Sequence, residues 1–353
     1  MQLRVKKKLG NVILYLGLRK LLKFVPLDLE WANIRVTENC NSKCTTCYAW
    51  KNRSINELTT EEMKDALHQL KDVNVKNVIF IGGEPLLRDD IGTLIREASL
   101  LQFDSIIVVT NGLLLEKKAE ELLKSGVTHI TVSVDGVGHT NDIIRGIPGS
   151  YEKAIEGIKK IQRLKNNGKI SVSVTLLTTI LLNQNVDEIP KLIEISKNLK
   201  IHWLFNLLDP NLDIFNGIPF SELIVKNEKK IDETIHFLKE TRRKHPWLIP
   251  TCNHILEYAR NYLKGRDRYN FHCIHGYKMV YIGAHGEVWP GCWIMKPIGN
   301  LRKDRLHDII WSKRHKEIVQ KMYFTKCSGC TNRYEFNILF KHLVSHKLFC
   351  STK

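Results

Sequence analysis

Three of the chain's nine cysteines, Cys40, Cys44 and Cys47, fall within eight residues in the stretch Thr37-Glu-Asn-Cys-Asn-Ser-Lys-Cys-Thr-Thr-Cys-Tyr-Ala-Trp50. Free cysteines are normally scattered core residues, so three on one loop point to a shared centre. They are too few for a closed structural zinc site, which takes four ligands. A cubane iron-sulfur cluster held by three cysteines would instead keep one iron free for a cofactor or substrate. A second group, Cys273, Cys292, Cys327 and Cys330, ends in the knuckle spacing Cys327-Ser-Gly-Cys330. Four thiolates can close a zinc ribbon or a cluster. Cys252 and Cys350 are left over, and an unpaired cysteine usually behaves as a small hydrophobe.

The elements that must position these groups alternate strand and helix. Strands are expected at Trp31 to Thr37, Val78 to Ile81, Ile106 to Val109, Ile130 to Val134, Ile170 to Leu177 and Ile201 to Leu208. Helical spacing fills Thr59 to Leu70, Ile91 to Leu100, Lys117 to Ser125, Ser150 to Leu164 and Val186 to Asn198. Six β-branched runs alternating with helices predict a parallel sheet of βαβ units, a barrel or an open part of one. Such folds place their sites at the C-terminal ends of the strands, where Gly82-Gly83, Thr110-Asn111-Gly112 and Asp135-Gly136 stand. Residues 221–246 are expected as a long charged helix, broken by Pro246 and Pro250. After residue 265 a second domain begins, with aromatic, Gly-, His- and Cys-containing segments.

Ile81-Gly82-Gly83-Glu84-Pro85 alone is a turn. Following the Cys-x3-Cys-x2-Cys loop by one βα unit, and joined by Thr110-Asn111-Gly112 and Ser133-Val134-Asp135-Gly136, it strongly resembles the radical S-adenosylmethionine (SAM) superfamily over residues 31–210. The resemblance implies that Cys40, Cys44 and Cys47 ligate a [4Fe-4S] cluster whose fourth iron is chelated by SAM. It makes Gly82, Gly83 and Glu84 the holders of the methionine amino group. Ser133 and Arg145 become candidates for the methionine carboxylate or ribose, Arg145 because guanidinium pairs carboxylate bidentately. Asp135 is left as a helix or turn cap. Many members carry an aromatic residue where this chain has Thr46, so Tyr48 is the candidate adenine contact.

From Cys273 through Gly299-Asn300-Leu301 to Leu306–Trp311 the chain resembles the SPASM/twitch extension of these enzymes. Cys273, Cys292, Cys327 and Cys330 would then hold one auxiliary [4Fe-4S] cluster, an electron carrier if all four ligate. The implied fold is a partial (β/α)6 TIM-type barrel with a small C-terminal α+β iron-sulfur domain. Its divisions are a basic amphipathic segment at 1–30, the barrel at 31–220, a helical linker at 221–265 and the cluster domain at 266–353. The implied chemistry is reductive cleavage of SAM to a 5′-deoxyadenosyl radical, which removes hydrogen from an unactivated C–H. A flavodoxin or ferredoxin would supply the electron. Cys252 is the candidate hydrogen donor for an epimerisation; oxidation through the auxiliary cluster and addition to an acceptor are the other fates.

The 353 residues carry 54 Lys and Arg against 37 Asp and Glu, a formal charge of +17. With 43% hydrophobic and 26% charged residues the composition excludes wholesale disorder and collagen-like structure. A chain of this length buries a large core without disulfides. No run is long enough to span a membrane. The N-terminus lacks a cleavage site, so the expected compartment is the cytoplasm, with residues 1–30 suited either to a membrane surface or to the protein's own core. Zinc-finger, helix-turn-helix and aromatic RNA-binding motifs are missing, which argues against nucleic acid. The expected substrate is a small polyol, sugar or nucleoside, oxidised or epimerised. Trp203, Phe205 and Asn206 are candidate pocket liners. A ribosomal peptide is disfavoured because only 39 residues precede Cys40. A lipid-linked substrate and a non-enzymatic metal-binding scaffold complete the alternatives.

Overall fold

The computed structural model describes residues 28–47, 49–51, 54–168, 170–179, 182–208, 220–266 and 273–324. Its first strand, β1 (Trp31–Arg35), leads into α1 (Thr60–Asp72), β2 (Asn77–Ile81), α2 (Ile91–Leu100), β3 (Ser105–Thr110), α3 (Leu115–Ser125) and β4 (His129–Ser133). Then come α4 (His139–Arg145), α5 (Ser150–Gly168), β5 (Ser173–Thr179), α6 (Ile189–Asn198) and β6 (His202–Asn206). Local signals account for the boundaries. Thr59 and Glu62 form a reciprocal capping box on α1, whose Met63, Ala66, Leu67 and Leu70 make the buried stripe. Gly126, at φ +93°, ends α3 in the left-handed conformation that favours glycine.

Each strand from β1 to β6 pairs in parallel with the next in sequence. Right-handed crossovers in one direction place every helix on the same face of the sheet. Side chains alternate accordingly. Ile34, Phe80 and Val108 lie in register on the helix-covered face, as do Val132, Leu176 and Trp203, all buried. The opposite, open face carries Arg35 level with Ile81, and Thr131 level with Thr175. One row nearer the strand ends are Ser133, Leu177 and Leu204.

This alternation corrects the pocket expectation for Trp203 and Phe205. Both face the helices, 0% and 3% exposed, and the Trp203 indole N–H donates to Thr178 Oγ1 at 3.1 Å. Asn206 alone of the three shares the open face. The long charged helix also starts later than its composition suggests. After the short α7 (Phe220–Leu223), Asn227 caps α8 (Glu228–Lys244) by accepting from the backbone N–H groups of Lys229 and Lys230.

Beyond α9 (Asn253–Leu263), the chain makes α10 (His275–Lys278), β7 (Met279–Ile282), β8 (Glu287–Trp289), β9 (Gly299–Asn300), α11 (Leu306–Trp311) and α12 (Lys313–Tyr323). β7 pairs in parallel with β1, and β8 and β9 follow antiparallel, so one sheet runs β6-β5-β4-β3-β2-β1-β7-β8-β9. The sheet is open, and its cysteine-bearing C-terminal portion grows directly from the barrel's first strand. At the foot of that junction Lys278, fully buried, meets Asp28 Oδ2 at 2.9 Å and Glu30 Oε1 at 3.0 Å. Among the described residues no helix is long and apolar enough to cross a membrane. The amphipathic reading of residues 1–30 falls on a stretch described only from Asp28 onward.

Candidate active site

The first cysteine loop is built against the end of β2. Gly83 N–H donates to Thr37 O and Glu84 N–H to Asn39 O, each at 2.8 Å. A Cβ at Gly82 would lie 2.5 Å from Thr37 O, and one at Gly83 2.2 Å from Asn39 O. Only glycine lets the two backbones approach this closely. From the other side Glu57 Oε1 accepts the Glu38 N–H at 2.7 Å and the Thr37 hydroxyl at 3.0 Å. Cys40 therefore starts from a backbone held on both flanks.

Glu84 is 1% exposed and engages three donors. Oε1 accepts from the Thr110 hydroxyl at 2.7 Å and Leu86 N–H at 3.0 Å, and Oε2 from Asn111 N–H at 2.7 Å. Burial pushes its carboxyl above the ordinary value against the pull of these donors. The Asn111 side chain continues the chain of bonds, donating to Asn41 Oδ1 at 2.8 Å and Ser42 Oγ at 3.0 Å. Glu84 thus ties β2 to β3 and, through Asn111, to the cysteine loop.

The far side of the loop rests on the end of α4. Lys43 N–H donates to Arg145 O at 3.0 Å and Thr45 N–H to Ile144 O at 2.8 Å. The Arg145 guanidinium lies 2.8 Å from Asp135 Oδ2 and 3.9 Å from Cys44 Sγ. Burial alone would lower Arg145, but Asp135 and then Cys44 outweigh it and hold the group above its usual value. Asp135, expected only as a cap, is this arginine's counter-ion; its Oδ1 also accepts Thr179 N–H at 2.7 Å. Ser133 ends β4, half-buried on the open face.

Donors reach all three thiols: Ser42 N–H to Cys40 and Ala49 N–H to Cys47, both at 3.4 Å, and Arg145 to Cys44. Burial pushes the Cys40 thiol up to about 11 and raises Cys44 and Cys47 as well. A metal or cluster takes the thiolate as its ligand, so binding one here must also release these protons. Among the described residues no group of three or more His, Cys, Asp or Glu is gathered around a single-ion site. Three soft thiolate donors on one loop, with hydrogen-bond donors toward their sulfurs, fit an iron-sulfur cluster. Beside them lies a cavity of about 790 Å³, lined by Cys40, Ser42, Lys43, Trp50 and Lys51 among others.

In the C-terminal portion, Gly291 (φ +71°) brings the turn before Cys292 onto α10. A Cβ there would lie 2.6 Å from Met279 O and 2.9 Å from His275 O. Cys292 is thereby seated on the segment that begins at Cys273, itself 8% exposed. Cys327, Cys330 and Tyr48 lie outside the described residues. Cys252 is 5% exposed at the start of α9, in the main apolar core. Sequence reasoning missed Arg35, whose guanidinium lies over the Trp293 ring, and Arg302, which bonds Glu62 and the carbonyls of Asn56 and Glu57. Nothing local signals these contacts, because Trp293 lies far from Arg35 in sequence, and Glu62, Asn56 and Glu57 lie far from Arg302.

Comparison with known proteins agrees with this geometry. The radical SAM superfamily model matches residues 34–195, and that of the SPASM iron-sulfur cluster-binding domain matches 273–331. Residues 34–195 are thus a radical SAM domain and residues 273–331 a SPASM domain, and the two imply [4Fe-4S] clusters and SAM as cofactors. It is 25% identical over 344 residues to the AdoMet-dependent heme synthase of Methanosarcina barkeri, covering 87% of this chain and 92% of that protein. It is likewise 25% identical to the PqqA peptide cyclase of Bradyrhizobium diazoefficiens, covering 85% and 78%. Among solved structures, Streptococcus suis SuiB bound to its precursor peptide SuiA aligns with a TM-score of 0.67 at 17% identity, covering 94% of this chain and 77% of that one. At that identity the likeness concerns the fold.

Proposed function

We propose that this radical SAM enzyme oxidises a small hydroxyl-bearing substrate, a polyol, sugar or nucleoside, held over the open face of the sheet. The observation that carries the reading is the character of that face. On β4 to β6 it presents uncharged hydrogen-bonding groups, Thr131, Ser133, Thr175, Thr179 and Asn206, which suit hydroxyls. On the β1 side it carries Arg35 over the ring of Trp293, itself packed by Tyr281 and Trp289, an apolar flank for the carbon skeleton.

When bound together, cluster and SAM supply a carbon-centred radical able to take hydrogen from an unactivated C–H. The protein's own part is placement and exclusion of water. Cys40, Cys44 and Cys47 would hold three irons, with the Ser42 and Ala49 amides and Arg145 stabilising sulfur charge. Gly82 and Gly83 open the backbone toward the methionine end, while Glu84 keeps β2, β3 and the loop in register. Ser133, on the open face, and Arg145, paired with Asp135 beside Cys44, would be the candidates to meet a carboxylate or ribose. Oxidation then requires one further electron and a proton to leave the substrate, the electron passing toward Cys273 and Cys292. Cys252, packed in the core, supports this outcome over an epimerisation quenched by its thiol.

The test is anaerobic incubation of the reconstituted enzyme with SAM, a reductant and candidate substrates deuterated at carbinol carbons. Deuterium appearing in 5′-deoxyadenosine, with a carbonyl product, supports the reading. Transfer only from a peptide or a tetrapyrrole refutes this substrate class.

A further inference from the structure

The first cysteine loop carries charge of one sign. From Asn39 to Asn56 the sequence holds Lys43, Lys51 and Arg53 and no aspartate or glutamate. Lys43 and Lys51 are exposed and, with half-buried Trp50, line the cavity that Cys40 alone of the three cysteines reaches. The Lys51 ammonium lies 5.5 Å from the centre of the Trp50 ring. The acids flanking this stretch are turned to other work. Glu38 bonds Arg35 at 3.0 Å, and Glu57 holds Thr37 and the Glu38 amide. Cys44, in contrast, is 7% exposed behind Arg145.

We infer that Lys43, Trp50 and Lys51 form the docking surface for a small acidic electron-transfer protein that delivers its electron at Cys40. The inference rests on the radical SAM reading, since only a reducible centre needs a donor. A carrier arriving from solvent must bring its redox group close to the loop, and Cys40 is the one of its three cysteines that lines the cavity. A cationic rim speeds encounter with an anionic partner, and the aromatic side chain beside it gives that partner an anchor. The step is a single transfer: the carrier loses one electron, the centre at Cys40 gains it, and no proton need move.

The experiment is stopped-flow reduction of the anaerobically reconstituted chain by a photoreduced acidic flavodoxin, beside photoreduced deazaflavin as a small donor. In the Lys43→Glu/Lys51→Glu variant the flavodoxin rate should fall at least about tenfold at low salt, with the deazaflavin rate unchanged. Added salt should bring the parent down toward the variant. A Lys229→Glu/Lys244→Glu variant, at two exposed positions of α8, makes the same change in net charge and should keep the parent rate. Calorimetric titration with oxidised flavodoxin should rank the three proteins in the same order without turnover. Unchanged rate and affinity in the loop variant, or an equal loss in the α8 variant, overturns the docking surface. If deazaflavin cannot reduce the parent, the cluster reading itself fails, and the docking inference with it.

Discussion

The Arg35 guanidinium lies 4.4 Å from the centre of the Trp293 ring, joining the strand that launches the first cysteine loop to the residue after Cys292. Trp293 is further packed by Tyr281 and Trp289, each with its ring centre 4.7 Å away. β1 is paired on one side to β2 and on the other to β7. The two cysteine-bearing regions therefore share a strand and are clasped across its end by a cation–π contact.

Arg35→Met should lower stability by about 1–2 kcal/mol, the worth of a largely desolvated cation–π pair. Arg35→Lys should recover part of it. Urea unfolding followed by tryptophan fluorescence reads this directly, and a midpoint equal to the parent's would show that the contact joins nothing.

Glu84→Gln keeps the size of the side chain but turns an NH2 toward at least one existing donor. Leaving a buried donor unpaired should cost about 1–3 kcal/mol. Because Asn111 relays this anchor to Asn41 and Ser42, iron retained after desalting should fall as well. A variant with parental stability and full iron would refute the scaffolding role.

Lys278→Met removes the cation between Asp28 and Glu30. Breaking a buried pair from one side should cost about 3–5 kcal/mol, because the carboxylates stay buried without their partner. Chemical denaturation checks it; a loss within about 1 kcal/mol would mean that the acids find water instead.

Glu62 predicts a pH dependence. The Arg302 side chain, followed by the Thr59 amide, pulls its carboxyl down to about 2 from an ordinary 4.5. A depressed folded value means stability present above the unfolded pKa and lost as pH falls toward the folded one. Both side chains are about a third exposed, so the contribution should stay below about 1 kcal/mol. The thermal-midpoint gap between parent and Glu62→Gln should therefore close between about pH 5 and pH 2. A gap that does not change with pH would contradict the pairing.

Much of the barrel was legible because strand and helix periodicities are local. Trp31, Val78, Ile106, Ile130 and Ile201 mark strands by composition alone, and the superfamily match follows from loops at strand ends. Which face of β6 turns inward was not legible: alternation groups Trp203 with Phe205 but does not say which side the helices cover. The joining of β7 to β1, across more than two hundred residues, has no local signal. Asp135 is similar, since a cap and a buried counter-ion look alike until Arg145 folds back beside it. The start of α8 was obscured because charged residues, Glu222 and Lys226, already precede it, and Asn227 sets the boundary.

The account stands most directly on iron and acid-labile sulfide per chain after anaerobic reconstitution, measured beside a Cys40→Ala/Cys44→Ala/Cys47→Ala variant. Two cubane clusters predict about eight irons in the parent and about four in the variant, with no zinc in either. About four irons falling to none, with zinc retained, would make the C-terminal cysteines structural and remove the electron acceptor on which the proposed oxidation depends.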